Sequence, residues 1–514
     1  MRSHWGVRGV ALAACISFTA ALSMPLAAQA PAKSLGTIHF PSSAKPAAQE
    51  SFLTGVKALF NFEFDIAAEA FQQTEKADPD FALGYWGEAM SFNHPLWAQQ
   101  DQAAARKVLD RLAPTAAARA AKAPAGRERM LVESLEILYG PGDKLTRDIA
   151  YADSLKRIHE KYPDDDEVAT FYALALLGTA RPGDKSIRNA MLAASIAEGV
   201  FQRNPQHPGA AHYIIHSFDD PDHAILALPA ARAYSKIAPS AAHALHMPSH
   251  IFVQLGMWED VVRSNIVAYK AADELASAKG LPRGREDFHT LSWLQYAYLQ
   301  QGKFDEAAKA LATAKAVADK DRTPGVTGGY AGMMARQIVE SQKWEKMPLG
   351  GGPVRDGGAP SYDGNAAYVL AAGLSAANLG DMATASRALD ILNEMTKQAE
   401  SGSNAYRARP FAIMSKEVAA LIHAKRNGPN DAEGADRLFK EAIAIEAALD
   451  PPSGPTEPIK PSFELYGEFL LDQGRAKDAA AAFQQSLLRT PNRRLSVQGL
   501  ERANSAPKST SAGR

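Results

Sequence analysis

The chain has 514 residues, of which 46% are hydrophobic and 22% charged, a balance that describes folded protein rather than a disordered or fibrous chain. Lys plus Arg is 56 against 57 for Asp plus Glu, so the formal net charge of -1 gives no field to gather nucleic acid or anionic lipid. The one cysteine, Cys15, excludes disulfides and thiolate clusters, which leaves any transition metal to His, Asp or Glu.

In chain order, the first element reads as a processing signal. Arg2 and Arg8 make a positive start, Val10 to Leu26 is mostly apolar, and Ala28-Gln29-Ala30 offers a small-x-small cleavage pattern. Residues 1–30 are therefore expected to be a signal peptide, and the mature chain to be periplasmic or secreted from about Pro31. Leu12-Ala13-Ala14-Cys15 resembles a bacterial lipobox, but the apolar run continues past Cys15, so a lipoprotein is the second reading. No later stretch approaches a membrane span.

After a linker over 31–47, helix pairs recur with a Gly at the turn, a small residue in the second helix and a Pro at its end. Gly55, Ala58, Ala67, Phe71 and Pro79 mark the first copy. Tyr298, Gly302, Phe304, Ala307 and Leu311 mark a later one, then Gly373, Gly380, Ala385 and Leu389, and last Gly467, Gly474, Ala479, Phe483 and Pro491. Poorer copies fall near Ala150 to Pro163 and Ala193 to Pro205, and the register between residues 100 and 190 is blurred.

This spacing resembles the 34-residue tetratricopeptide repeat family. The resemblance implies an all-α fold, a right-handed superhelical solenoid of antiparallel helix pairs with a concave binding groove. The expected divisions are repeats over 48–205, a histidine-rich repeat pair over 206–275, and repeats over 276–346. A Gly-rich loop over 347–365, further repeats over 366–502 and a polar tail over 503–514 complete the chain. The glycines of the loop lack the Gly-Lys-Ser/Thr of a phosphate cradle.

Seven of the 13 histidines lie between His207 and His250, where random scatter puts about one. His212 and His246 are one 34-residue repeat apart, as are His216 and His250, so two successive first helices carry the same His-x-x-x-His pair. An i, i+4 spacing stacks two rings on one helix face about 5–6 Å apart. Neighbouring helices pack about 8–10 Å apart, close enough for facing imidazoles to share an ion. By the resemblance, the groove presents His212, His216, Asp219 and Asp220, then His243, His246, His250 and Gln254, then His289, Ser292 and Tyr296, with Trp86 and His94 on an earlier repeat. His207 and His223 fall at loop ends, and Pro248 should kink its helix.

These residues point to a divalent transition metal bound by His212, His216, His243, His246, His250 and His289 with Asp219 or Asp220; zinc, copper, iron and nickel all suit imidazole. With an open position the ion can serve a hydrolase or oxidoreductase acting on a small molecule; with a closed shell it is structural or cargo. The alternatives are a metal-free scaffold for an extended peptide or protein partner, and a metal carrier or sensor. No Glu stands between the paired histidines, which excludes the His-Glu-x-x-His protease pattern. Glu88, His94 and Tyr296 are secondary catalytic candidates. Arg283, Arg285, Glu286 and Asp287 make a charged loop suited to clamping an anion, and Glu464, Glu468 and Asp472 an acidic face on the last repeat.

Overall fold

Small residues facing large ones set the packing between successive helices. The computed structural model describes residues 34–506, except 182, 185, 281–287, 351–361, 403–405, 407, 427 and 429. The expected signal peptide, the lipobox-like stretch, the charged loop Leu281 to Asp287, most of the Gly-rich loop and the last eight residues lie outside the described residues. Within them the chain is a succession of antiparallel α-helix pairs, the tetratricopeptide-type solenoid expected from the repeats. In the first pair, Pro46–Phe60 and Phe64–Ala77, the buried Phe71 ring lies between Gly55 and Gly87 of the next helix, Ala82–Met90. A methyl group at either glycine would stand within 2.8 Å of that ring, so only glycine admits it. The last pair, Ser462–Asp472 and Ala476–Arg489, repeats the device: Phe483 sits between Gly467 and Gly499.

The blurred stretch resolves into two ordinary pairs, Arg127–Leu138 with Lys144–Lys161 and Asp166–Leu177 with Arg188–Arg203. The insertion ahead of them is a two-residue hairpin, Asn93–His94 against Gln99–Gln100, and a short helix, Ala116–Lys122. Alternation over two residues is too brief to read from sequence. Helix Pro324–Ser341 packs directly against Ala366–Leu379, and the Gly-rich loop occupies the place in chain order of a second helix.

Residues 34–45 are extended and docked rather than free. The Thr37 amide donates to the Gln206 carbonyl at 2.9 Å, the Asn61 side chain to the Leu35 carbonyl at 3.0 Å, and the His39 amide to the Glu167 carboxyl at 2.8 Å. At the other end, helix Arg494–Ser505 runs three residues into the expected tail, and the turn before it closes onto the middle repeats. Trp258 Nε1 donates to the Asn492 carbonyl at 2.9 Å, and Asn492 Nδ2 to the Gly256 carbonyl at 3.0 Å. Beside this contact Arg493, fully buried, pairs with Glu340 at 2.6 Å and Glu464 at 2.8 Å, while Lys460 holds Glu464 at 2.9 Å and Glu468 at 2.7 Å. Glu464 and Glu468 are therefore structural ion-pair partners rather than an acidic binding face.

Removing one partner from such a network leaves the other charges buried and unpaired. Arg493→Met is expected to lower unfolding free energy by about 3–5 kcal/mol in a denaturant titration. Burial pushes the Glu167 carboxyl up to about 7. The folded state thus holds that proton more tightly than the unfolded chain, so the stability it contributes is full below about pH 4.5 and lost as pH rises through about 7. Glu167→Gln should remove about 3 kcal/mol of this pH dependence, read as a smaller difference in unfolding free energy between pH 4.5 and pH 8.

Candidate metal centre

Three consecutive first helices bring the histidines together. Helix Pro208–Ser217 carries His212 and His216 and starts at a proline, with the His207 ring capping it by accepting the Ala210 amide at 3.1 Å. The next first helix is broken as Pro248 predicts: Ala242–His246 holds His243 and His246, and Pro248–Gln254 holds His250. Helix Phe288–Gln300 contributes His289.

The six imidazoles form two triads, not the four-histidine set expected from repeat equivalence. His212 Nε2 lies 3.0 Å from His216 Nε2 and 3.1 Å from His243 Nε2. His246 Nε2 lies 3.0 Å from His289 Nε2, and His250 completes that group; in each triad one ligand atom per residue lies within 4.8 Å of the others. The rule is the same twice: a His-x-x-x-His pair closes on one histidine from farther along the chain. His243 and His246 share the short helix Ala242–His246, yet His243 turns back to the first pair while His246, with His250 from beyond Pro248, faces the third helix. The triads are neighbours, with His216 and His250 ring centres 6.2 Å apart.

Hydrogen bonds on the outer nitrogens decide which inner nitrogens carry lone pairs. His212 Nδ1 lies 2.7 Å from the Phe60 carbonyl, which can only accept, so Nδ1 is the protonated nitrogen and Nε2 bears the lone pair. Asn265 donates its Nδ2 to the Val261 carbonyl at 2.8 Å, which turns Oδ1 toward His246 Nδ1 at 2.7 Å with the same consequence. His250 Nδ1 donates to Asp219 Oδ2 at 2.7 Å. Burial, reinforced by neighbouring imidazoles, lowers the proton affinity of this cluster: His212 to about 3, His289 to about 4, and His216, His243 and His246 well below the usual range. One lone pair on His212 cannot accept from both His216 and His243 at these distances. A cation satisfies all three nitrogens, and three nitrogens bound to zinc at about 2.0–2.1 Å stand about 3.3 Å apart, close to the separations seen.

Neither aspartate belongs to a triad. Asp219 is an outer partner that anchors His250 and accepts from Gln254 Nε2 at 3.2 Å, while Asp220 binds His223 Nδ1 at 2.8 Å and accepts the Asp222 and His223 amides in the turn before the next helix. Anchors of this kind fix the ring orientation and raise ligand basicity.

Each triad also has an aromatic roof that sequence reasoning missed. The Phe62 ring lies 4.4, 5.8 and 5.4 Å from His212, His216 and His243, and the Trp293 ring 4.9, 4.4 and 5.3 Å from His246, His250 and His289. Trp293 stands four residues after His289 on one helix face, a spacing that could have flagged it; nothing around Phe62 in the sequence does.

The secondary candidates lie apart from the triads. Glu88 is buried against Gln72 at 2.9 Å and against Arg111. His94 stacks on Phe64 at 4.1 Å, which in turn stacks on Phe62, so an aromatic ladder separates it from the first triad. Tyr296 is buried and accepts from Arg493 at 3.3 Å, and Trp86 is core between Phe40 and Phe171 rather than groove. Ser292 donates to the His289 carbonyl at 2.7 Å.

No protein-family description and no curated protein matches this chain. Among solved structures it resembles yeast Tom70, at 12% identity over 90% of this chain and 89% of that one, with a TM-score of 0.34. The P58(IPK) TPR domain aligns at 13% identity over 89% and 97%, TM-score 0.22, and the human IFIT1 dimer with m7Gppp-AAAA at 13% over 89% and 99%, TM-score 0.35. The likeness goes no further than the repeat architecture.

In a zinc titration, Asp219→Ala is expected to weaken the site holding His250 by about 10–100-fold and to leave the other unchanged. Equal affinities in variant and parent would show that Asp219 does not tune the metal ligands.

Proposed function

We propose that this chain is an exported tetratricopeptide-type solenoid whose concave face is a binding surface, and that its middle repeats hold transition-metal ions there. The ligands are His212, His216 and His243 for one ion and His246, His250 and His289 for the other. The observation that carries this reading is the convergence of Nε2 lone pairs whose opposite nitrogens are committed to Phe60, Asn265 and Asp219. Three protein ligands per ion leave a position for water or substrate, which supports a metal-dependent hydrolase, oxidoreductase or binding protein acting on a small molecule.

The architecture alone supports the metal-free alternative, a scaffold for a peptide or partner protein, more directly than it supports turnover. A groove lined by Trp344, Leu421, Phe469, Asp472 and Lys425 in the last repeats has the mixed apolar and charged character such a partner needs. A metal carrier or sensor is the third reading. Among the described residues no helix is long and apolar enough to cross a membrane.

Elemental analysis of the mature protein, purified without a histidine tag and reloaded, should find two ions per chain, and none in a His212→Ala, His246→Ala double variant that keeps its helical circular dichroism. Equal metal in both proteins refutes the metal centre and leaves the scaffold. Export predicts that the recovered chain begins near Pro31, which its intact mass reads directly.

A further inference from the structure

We infer that the two triads form one coupled dinuclear copper centre that binds dioxygen between its ions. This rests on the metal reading above and adds the nuclearity, the metal and the ligand. Among the described residues the donor set is six imidazoles, with no carboxylate or thiolate among the converging atoms, and the carboxylate of Asp219 is engaged by His250 Nδ1. Imidazole suits both zinc and copper, so charge must decide between them. Coulomb repulsion scales with the product of the charges, so two dications side by side repel four times as strongly as two monocations at the same separation. A bridging carboxylate would relieve that repulsion, and among the described residues neither triad offers one. Six neutral nitrogens under aromatic rings therefore suit two Cu(I) ions better than two Zn(II) ions.

Oxygen supplies the missing anion. Each Cu(I) gives one electron to O2, which yields two Cu(II) ions and one peroxide, O2 with two negative charges, lying between them. The two electrons lower the O–O double bond to a single bond, no proton moves, and the charge of the bridge offsets the raised charge of the metals. The geometry allows a bridge, because the His216 and His250 rings stand 6.2 Å apart across the boundary while His250 and His289 stand 6.3 Å apart within one triad. The boundary between the triads is thus no wider than a separation inside one. Phe62 and Trp293 offer the ions no oxygen ligand, and His216, His243 and His250 are half-buried and His289 exposed, so O2 can reach the triads.

The test is anaerobic loading of the full mature protein with Cu(I), followed by exposure to O2. Two coppers per chain are expected, with one O2 taken up per pair, a new near-ultraviolet absorption, and almost no Cu(II) electron paramagnetic resonance because the bridge couples the two spins. His289→Ala should hold one copper, take up no O2 in that ratio, and show its full Cu(II) signal after oxidation. Two coppers in the parent protein whose resonance integrates to both ions overturn the coupled centre, as does copper that takes up no O2, while the metal reading survives. A chain that retains no metal overturns both. The parent protein alone decides among these outcomes, so a variant that fails to fold does not blunt the test.

Discussion

A neutral imidazole whose Nδ1–H is committed to a fixed acceptor has one lone pair left, and that pair points in one direction. The three acceptors come from separate parts of the fold. Phe60 closes the first helix of the chain, Asp219 lies in the turn after the helix of His212, and Asn265 sits on the long helix Trp258–Ala278 behind His246. Holding three nitrogens aimed inward thus requires the N-terminal repeat, the histidine-rich repeats and their backing helix to be packed correctly at once. The site is a property of the stack and not of any one repeat.

That stack is built from close approaches. Where Phe71 and Phe483 each lie between two glycines, the ring fills the space that side chains would otherwise hold, and successive helices settle in register. Register then converts equal places in the repeat into neighbouring places in space, which is how His212 and His246 come to occupy adjacent walls. In a solenoid each repeat contacts its neighbours only. This one departs from that pattern, because Asn492, Arg493 and Arg494 return to Gly256, Glu340 and Leu299 and tie the last turn to the middle of the array.

The helix pairs were legible because glycine, alanine and proline recur at places where packing admits little else. The histidine-bearing faces were legible for a similar reason, since i, i+4 spacing is a strong geometric statement. What the spacing did not carry was the partition of the ligands. Equivalence by repeat paired His212 with His246 and His216 with His250, whereas His243 and His246, three residues apart on one short helix, turn to opposite neighbours. Spacing along one helix does not say which neighbour each ring meets, because that depends on the helices packed around it. Asp219 and Asp220 were indistinguishable as neighbours in sequence, yet one anchors a ligand ring and the other closes the turn before the next helix. Glu464 read as part of an acidic face because the buried Arg493 that neutralises it with Lys460 lies 29 residues away.

The two roofs show how differently equivalent jobs are done. Phe62 has φ of +56°, the left-handed region that a bulky side chain adopts at a cost of about 1–3 kcal/mol. Glycine or asparagine would relieve that backbone and uncover three imidazoles, so the conformation is held by what the ring touches. Trp293 needs no such backbone. It is pressed from the far side by the loop that contains Gly454, where a methyl group would stand 2.4 Å from the indole, and Gln254 reaches from Asp219 to the Pro452 carbonyl of the same loop at 2.8 Å. One loop from the C-terminal repeats thus backs both the roof and the carboxylate anchor of the second triad. The return of the chain's end onto its middle is what gives that triad a rigid wall, whereas the first triad takes its own from local strain at Phe62.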